Sequence, residues 1–154
     1  MNNATKLPVI LMAEDDPDDR LLARDAVAES CLETDLRFVE NGEELLDYLW
    51  HRGKYTDVSL APRPGLIILD LNMPRKDGRE VLRDIKNDPD LRRIPVVVLS
   101  TSRADTDIGS IYELGANSFI SKPVKFNALV KLIKTVGEYW FRIVELPPPK
   151  RQYL

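Results

Sequence analysis

Short apolar runs alternate along this chain with segments whose apolar residues recur every three or four positions. The runs are residues 7–13 (LPVILMA), 65–70 (GLIILD), 94–100 (IPVVVLS) and 117–121 (NSFIS), with a weaker alternating one at 35–40 (DLRFVE). Between them lie helical patterns at 17–31, 42–50, 78–88, 104–115 and 125–144. The first carries Leu22, Ala23, Ala26, Val27 and Cys31 at helical spacing, and the last carries Phe126, Leu129, Val130, Ile133, Val136 and Trp140. Runs of four to seven residues bounded by turn signals read as strands, and the longer periodic segments read as helices. Five strand–helix units follow. Strands that are apolar without interruption are covered on both faces, so the sheet is parallel with helices on each side. An open parallel sheet has a switch point where neighbouring loops diverge at the carboxyl ends of the strands, and function is expected there.

Composition narrows the class. The chain has 154 residues, 44% hydrophobic and 31% charged, with a net charge of −3. That is enough for one domain with a proper core and a short extension, and it gives no basic surface for nucleic acid. No signal segment or long apolar run is present, so a cytoplasmic protein without membrane contact is expected. The single cysteine, Cys31, excludes an internal disulfide and reads as a small buried apolar residue in a reducing compartment. The single histidine, His51, excludes a histidine metal cluster and reads as a helix-end residue. Two segments stand outside the strand–helix rhythm: a long loop at 51–64 and a tail at 145–154 (ELPPPKRQYL), which three prolines keep extended.

The strand ends carry the chemistry. Strand 1 runs into five acids within six residues, Glu14 to Asp19. Asp16 before Pro17 is a helix start, and Asp18 and Asp19 fall in a first turn that favours negative charge. Glu14 and Asp15 are left over, at the strand end, where like charges repel unless a cation joins them. Strand 3 ends in Asp70, an acid closing an apolar run. Clustered carboxylates offer hard oxygen ligands suited to a divalent ion such as Mg²⁺. Strand 4 ends in Ser100 and strand 5 in Lys122, which brings a hydroxyl and an ammonium to the same rim. A carboxylate can serve as a nucleophile and form an acyl phosphate. Phosphoryl transfer then needs mainly positioning and neutralisation of charge, which a dication and a lysine supply.

These four motifs, "LMAEDD", "LDLNMPRKDG", "PVVVLSTS" and "FISKP", resemble in order and spacing those of the response-regulator receiver domain, the phosphoacceptor half of two-component signalling. Asp70 and Ser100 are 30 residues apart, and Ser100 and Lys122 are 22 apart. The resemblance covers residues 7–140 and implies a flavodoxin-like (βα)5 fold, three layers α/β/α, with strand order 2-1-3-4-5. It divides the chain into a receiver domain, 1–144, and a proline-rich tail, 145–154. It implies that Asp70 is phosphorylated and also ligates Mg²⁺, that Asp15 binds the metal directly and Glu14 through water, and that Asn72 offers its backbone carbonyl. Ser100 and Lys122 would sense the phosphoryl group, and Ser100 with Phe119 would form the switch. Pro74 would stiffen the loop after Asp70, Gly78 would take a backbone angle that other residues resist, and Lys122–Pro123 would be cis.

The long 51–64 loop and the extension past the last helix resemble the single-domain regulators paired with phytochrome-type histidine kinases. That resemblance implies a sensor kinase of the bacteriophytochrome kind, a downstream partner protein rather than DNA, and a homodimer through the helix 4–strand 5–helix 5 face. Tyr139, Trp140 and Phe141 suit such a contact and equally suit the packing of a long helix. The chain would not be an enzyme beyond its own phosphoryl transfer and autodephosphorylation. Three alternatives compete with this reading. A small-molecule aspartyl-phosphate phosphatase wants an acid at position 72, which is Asn. A flavin module wants a phosphate loop where "EDDPDD" would repel one. A pseudo-receiver wants a missing acid, hydroxyl or lysine, and none is missing.

Overall fold

The computed structural model describes residues 7–71, 73, 75–101 and 105–148. Five strands, β1 (Val9–Ala13), β2 (Asp35–Val39), β3 (Leu66–Asp70), β4 (Val96–Ser100) and β5 (Ser118–Ser121), form one parallel sheet in the order β2-β1-β3-β4-β5. Helices α1 (Pro17–Glu29), α2 (Gly42–Trp50), α3 (Gly78–Asn87), α4 (Asp105–Glu113) and α5 (Phe126–Glu138) alternate with them. The order follows from pairing. β1 lies between β2 and β3, Leu11 opposite both Arg37 and Ile67, so the chain reverses direction across the sheet at β1/β3.

The alternation of side chains along each strand divides the core in two. Leu11, Ala13, Ile67, Leu69, Val96 and Val98 pack with Leu45 and Leu49 of α2, Leu82 and Ile85 of α3, and Ile111 of α4. Ile10, Met12, Leu66, Ile68, Val97 and Leu99 pack with Ala23 and Ala26 of α1 and Ile133 of α5. Every residue of β1, β3 and β4 is buried, as uninterrupted apolar strands require.

Local signals fix the helix ends. Asp16 caps α1, its carboxylate accepting from the Asp18 N–H at 2.8 Å, with Pro17 in the first position. Asn41 caps α2 through the Glu44 N–H, and Asp77 caps α3 through the Arg79 N–H, both at 2.8 Å. α1 stops at Glu29, two residues short of the periodic pattern. Cys31 therefore leaves the helix in a left-handed conformation, φ 56°, and is exposed, not buried as its spacing suggested. Leu22 and Phe126 also lie at the surface, 40% and 37% exposed, although their spacing matched the apolar faces.

The 125–144 pattern is not one α-helix. After Glu138 the chain widens into a π-helical turn, Tyr139–Ile143. Trp140 and Phe141 thereby reach the α1/α5 core while Tyr139 and Ile143 face out. Phe141 and Leu146 then close over Gly65 at the start of β3, where an added Cβ would come within 3.1 and 3.2 Å of them. The 51–64 loop contains two short 3₁₀ turns and is stapled rather than free. Tyr48 Oη donates to the Pro62 carbonyl at 2.7 Å, and His51 Nε2 lies 3.0 Å from the Ala61 carbonyl oxygen. Among the described residues, no helix is long and apolar enough to cross a membrane.

Gly42 is a packing requirement. A Cβ there would sit 2.6 Å from the Lys76 carbonyl oxygen and 2.6 Å from Val81 Cγ2. Gly42→Ala is expected to destabilise the fold by roughly 1–3 kcal/mol through overpacking against backbone, measured by urea denaturation.

Candidate functional site

Strand order brings the four motifs together. β1 and β3 are neighbours, so Glu14 and Asp15 just past β1 stand beside Asp70 at the end of β3. One carboxylate oxygen of each lies within 4.8 Å of the others. Glu14 and Asp70 are buried, 1% and 7% exposed, and Asp15 faces out. β3 also pairs with β4 and β4 with β5, so Ser100 and Lys122 complete the rim, with the Lys122 N–H donating to the Ser100 carbonyl at 2.9 Å.

Lys122 is the centre of the charge arrangement. Its Nζ donates to Glu14 Oε1 at 2.6 Å, Asp19 Oδ2 at 2.8 Å and Asp70 Oδ2 at 3.4 Å. Burial alone would lower the ammonium's pKa, but the hydrogen bonds to Asp19 and Glu14 and the charge of Asp70 outweigh it and hold it above the usual 10.5. Glu14 moves the other way for a carboxylate. Burial pushes it up to about 7, the Lys122 hydrogen bond opposes, and the charge of Asp70 adds to the rise. Three close carboxylates with one forced toward its neutral form are a donor set that a hard dication would relieve. The residues fit a divalent metal.

The Glu14 shift has a sign that can be checked. A carboxyl whose folded pKa lies above its unfolded one binds more protons in the folded state between the two values, so stability falls with rising pH there. In EDTA, stability is expected to decline from pH 4.5 toward pH 7 through this group. Glu14→Gln, followed by urea denaturation at both ends of that window, should flatten the decline.

Phe119 stands on β5 beside β4. It pairs in register with Val98 and packs, half-buried, against the α2/α3/α4 core to which Val98 belongs. Ser100 lies two residues beyond Val98 on the same strand, hence on the same face of the sheet as Phe119. The backbone N–H of Phe119 donates to Tyr112 Oη of α4 at 3.1 Å, a tie between α4 and β5.

Two expectations change here. Lys122–Pro123 is trans, there being no cis peptide bond among the described residues. Trans is the lower form even before proline, by about 0.5–1 kcal/mol, and in it the chain already delivers the ammonium to its acids. Gly78 does not take a left-handed angle; that residue is Arg75, φ 69°. What Gly78 supplies is close approach, since a Cβ would stand 3.0 Å from Leu71 Cα and 3.2 Å from the Asp70 carbonyl oxygen. Asn72 and Pro74, expected to furnish a metal-binding carbonyl and a stiff turn, lie outside the described residues. One residue went unread as part of the site: Asp19, assigned only to the helix dipole, is a partner of Lys122. Its signal was its place one turn into a helix that starts at the strand-1 rim.

Residues 10–134 match the response regulator receiver domain family. Response regulator Rcp1 of Synechocystis sp. is 40% identical over 139 residues, 90% of this chain and 92% of Rcp1. A structure described as the Mn²⁺-bound form of Rcp1 superposes with a TM-score of 0.81 at 40% identity, covering 92% of this chain and 99% of that one. RPA3017, described as a response regulator in red light signalling of R. palustris, gives a TM-score of 0.88 at 38% identity, covering 92% and 99%. Phosphorylated RcpA, a cyanobacterial phytochrome response regulator, gives 0.85 at 42% identity, covering 93% and 100%.

Proposed function

This chain belongs to the response regulator receiver domain family, and from that premise we propose that it is a switch phosphorylated on Asp70 by a histidine kinase. The family is not one of classical enzymes, and the chemistry assigned to the chain is confined to its own acceptor. The observation that carries the reading is the convergence of Glu14, Asp15 and Asp70 with Lys122 at one strand-end rim. An Asp70 carboxylate oxygen attacks the phosphorus of a phosphohistidine. The P–O bond forms as the P–N bond breaks, and the electron pair returns to the imidazole. Mg²⁺ held by Glu14, Asp15, Asp70 and the Asn72 carbonyl would supply charge neutralisation for the phosphoryl oxygens. Lys122 then exchanges a carboxylate for a phosphoryl oxygen, and Ser100 donates to another.

Movement of Ser100 toward the acceptor vacates space on the sheet face it shares with Phe119, and Phe119 turns inward. The tie from Phe119 to Tyr112 carries that change into α4. The α4–β5–α5 face thus becomes the output surface, read by a partner protein or by a second copy of the chain. Similarity to RPA3017 and RcpA supports a phytochrome-type kinase as the phosphoryl donor.

Intact mass after incubation with acetyl phosphate and Mg²⁺ tests the reading. A single phosphoryl gain, absent in EDTA, is expected; no gain under any condition would overturn it in favour of a pseudo-receiver.

A further inference from the structure

We propose that Asp19 is a positioning residue that holds Lys122 back from Asp70 and so weakens the site's grip on an incoming anion. The proposal rests on the phosphoacceptor reading and adds a residue to it. An ammonium has three N–H donors, and all three have carboxylate partners here: Glu14 at 2.6 Å, Asp19 at 2.8 Å and Asp70 at 3.4 Å. The longest of the three is the one to the acceptor. For Lys122 to bond a phosphoryl oxygen on Asp70, one of these bonds must be given up.

Asp19 differs from the other two. Glu14 and Asp70 belong to the three-carboxylate cluster suited to a dication, and Asp19 does not. It comes from the first turn of α1, five residues past Glu14, and its side chain is 34% exposed. A cation held by the cluster would compensate Glu14 and Asp70 but not Asp19, which would keep its hold on the ammonium. Asp19 also lines, with Glu14 and Lys122, a cleft of about 310 Å³ between α1 and the start of α5, walled by Leu22 and Phe126. An anion at Asp70 therefore meets Asp19 twice: as a competitor for Lys122 and as a like charge nearby. Both effects have the same sign.

The opposite role is also physically coherent. Asp19 could orient Lys122 toward the acceptor, and its loss would then weaken anion binding. Beryllofluoride, which binds an acceptor carboxylate noncovalently, separates the two. Its affinity is measured by calorimetry in saturating Mg²⁺ for wild type, Asp19→Asn, Asp19→Ser and Asp19→Glu. Thermal unfolding shows that each variant is folded. The neutral variants are expected to bind beryllofluoride roughly three- to tenfold more tightly, the gain shrinking as salt rises, as for a part-exposed charge. Asp19→Glu should restore wild-type affinity. A merely structural role would not tighten binding. Unchanged or weaker binding by both folded neutral variants, with wild type binding normally, overturns the role given to Asp19 alone. A wild type that binds no beryllofluoride overturns the phosphoacceptor reading and the inference with it.

Discussion

Asp70→Asn protein is expected to gain no phosphoryl group from acetyl phosphate and Mg²⁺, under conditions in which wild type gains one. The amide is nearly isosteric with the carboxylate but uncharged, so its oxygen is a poor nucleophile and a poorer metal ligand. The fold should survive, because the side chain closes a strand whose other residues make the core. Without a divalent ion, stability is expected to hold or rise slightly. The charge of Asp70 is one of the influences that raise the Glu14 carboxyl, and removing it eases that repulsion. Mass spectrometry and urea denaturation, run side by side, separate the two effects. A phosphorylated Asp70→Asn protein would remove the acceptor assignment, and an unfolded one would show the acid to be structural.

Lys122→Ala has the second largest expected effect, and it is divided between stability and signalling. Wild-type Lys122 answers three acids at once. Its removal leaves Glu14, 1% exposed, with no ammonium beside it. Breaking a buried pair by removing one partner costs about 3–5 kcal/mol, and roughly 1–3 kcal/mol is expected here because Lys122 is only partly buried. Glu14 limits the loss by taking up a proton, so the deficit in EDTA should be smaller at pH 5.5 than at pH 8. Mg²⁺ should recover much of it, and should bind the variant more tightly than wild type, because the cation that competed for the same acids is gone. Phosphoryl uptake should persist, since Asp70 and its metal partners remain. The response of the α4–β5–α5 face should not, because the group proposed to read the phosphoryl oxygen would be gone. Amide chemical-shift changes at Phe119 and Tyr112 on phosphorylation are the measure. Full-sized shifts there in Lys122→Ala would show that Ser100 alone carries the switch.

Much of the site was legible along the chain because each motif is local. Glu14 and Asp15 follow an apolar run directly, Asp70 closes another, and Ser100 and Lys122 end two more. An acid at the end of a buried strand conflicts with its surroundings, and that conflict is visible without a structure. The parts misread are those where a local pattern had two outcomes. Cys31 matched the helical stripe but fell beyond the helix end. Gly78 was a correct position with the wrong reason: close approach to Leu71 and Asp70, not a left-handed angle. The π-helical turn at Tyr139–Ile143 interrupts a periodicity that, read alone, continues.

The sequence by itself determined the five strand–helix units, the cap Asp16, and the residue types at the strand ends, since each depends on neighbours a few positions away. Only the tertiary structure decided that Lys122 meets Glu14 and Asp19, more than a hundred residues distant in the chain, and that Asp19 joins the site at all. It also decided that Glu14 is buried deeply enough to be pushed up to about 7, and that the tail returns to cover Gly65. Those outcomes depend on which strands are neighbours and how far each helix leans over the rim. Desolvation and charge pairing act through distance in space, and the sheet order sets that distance.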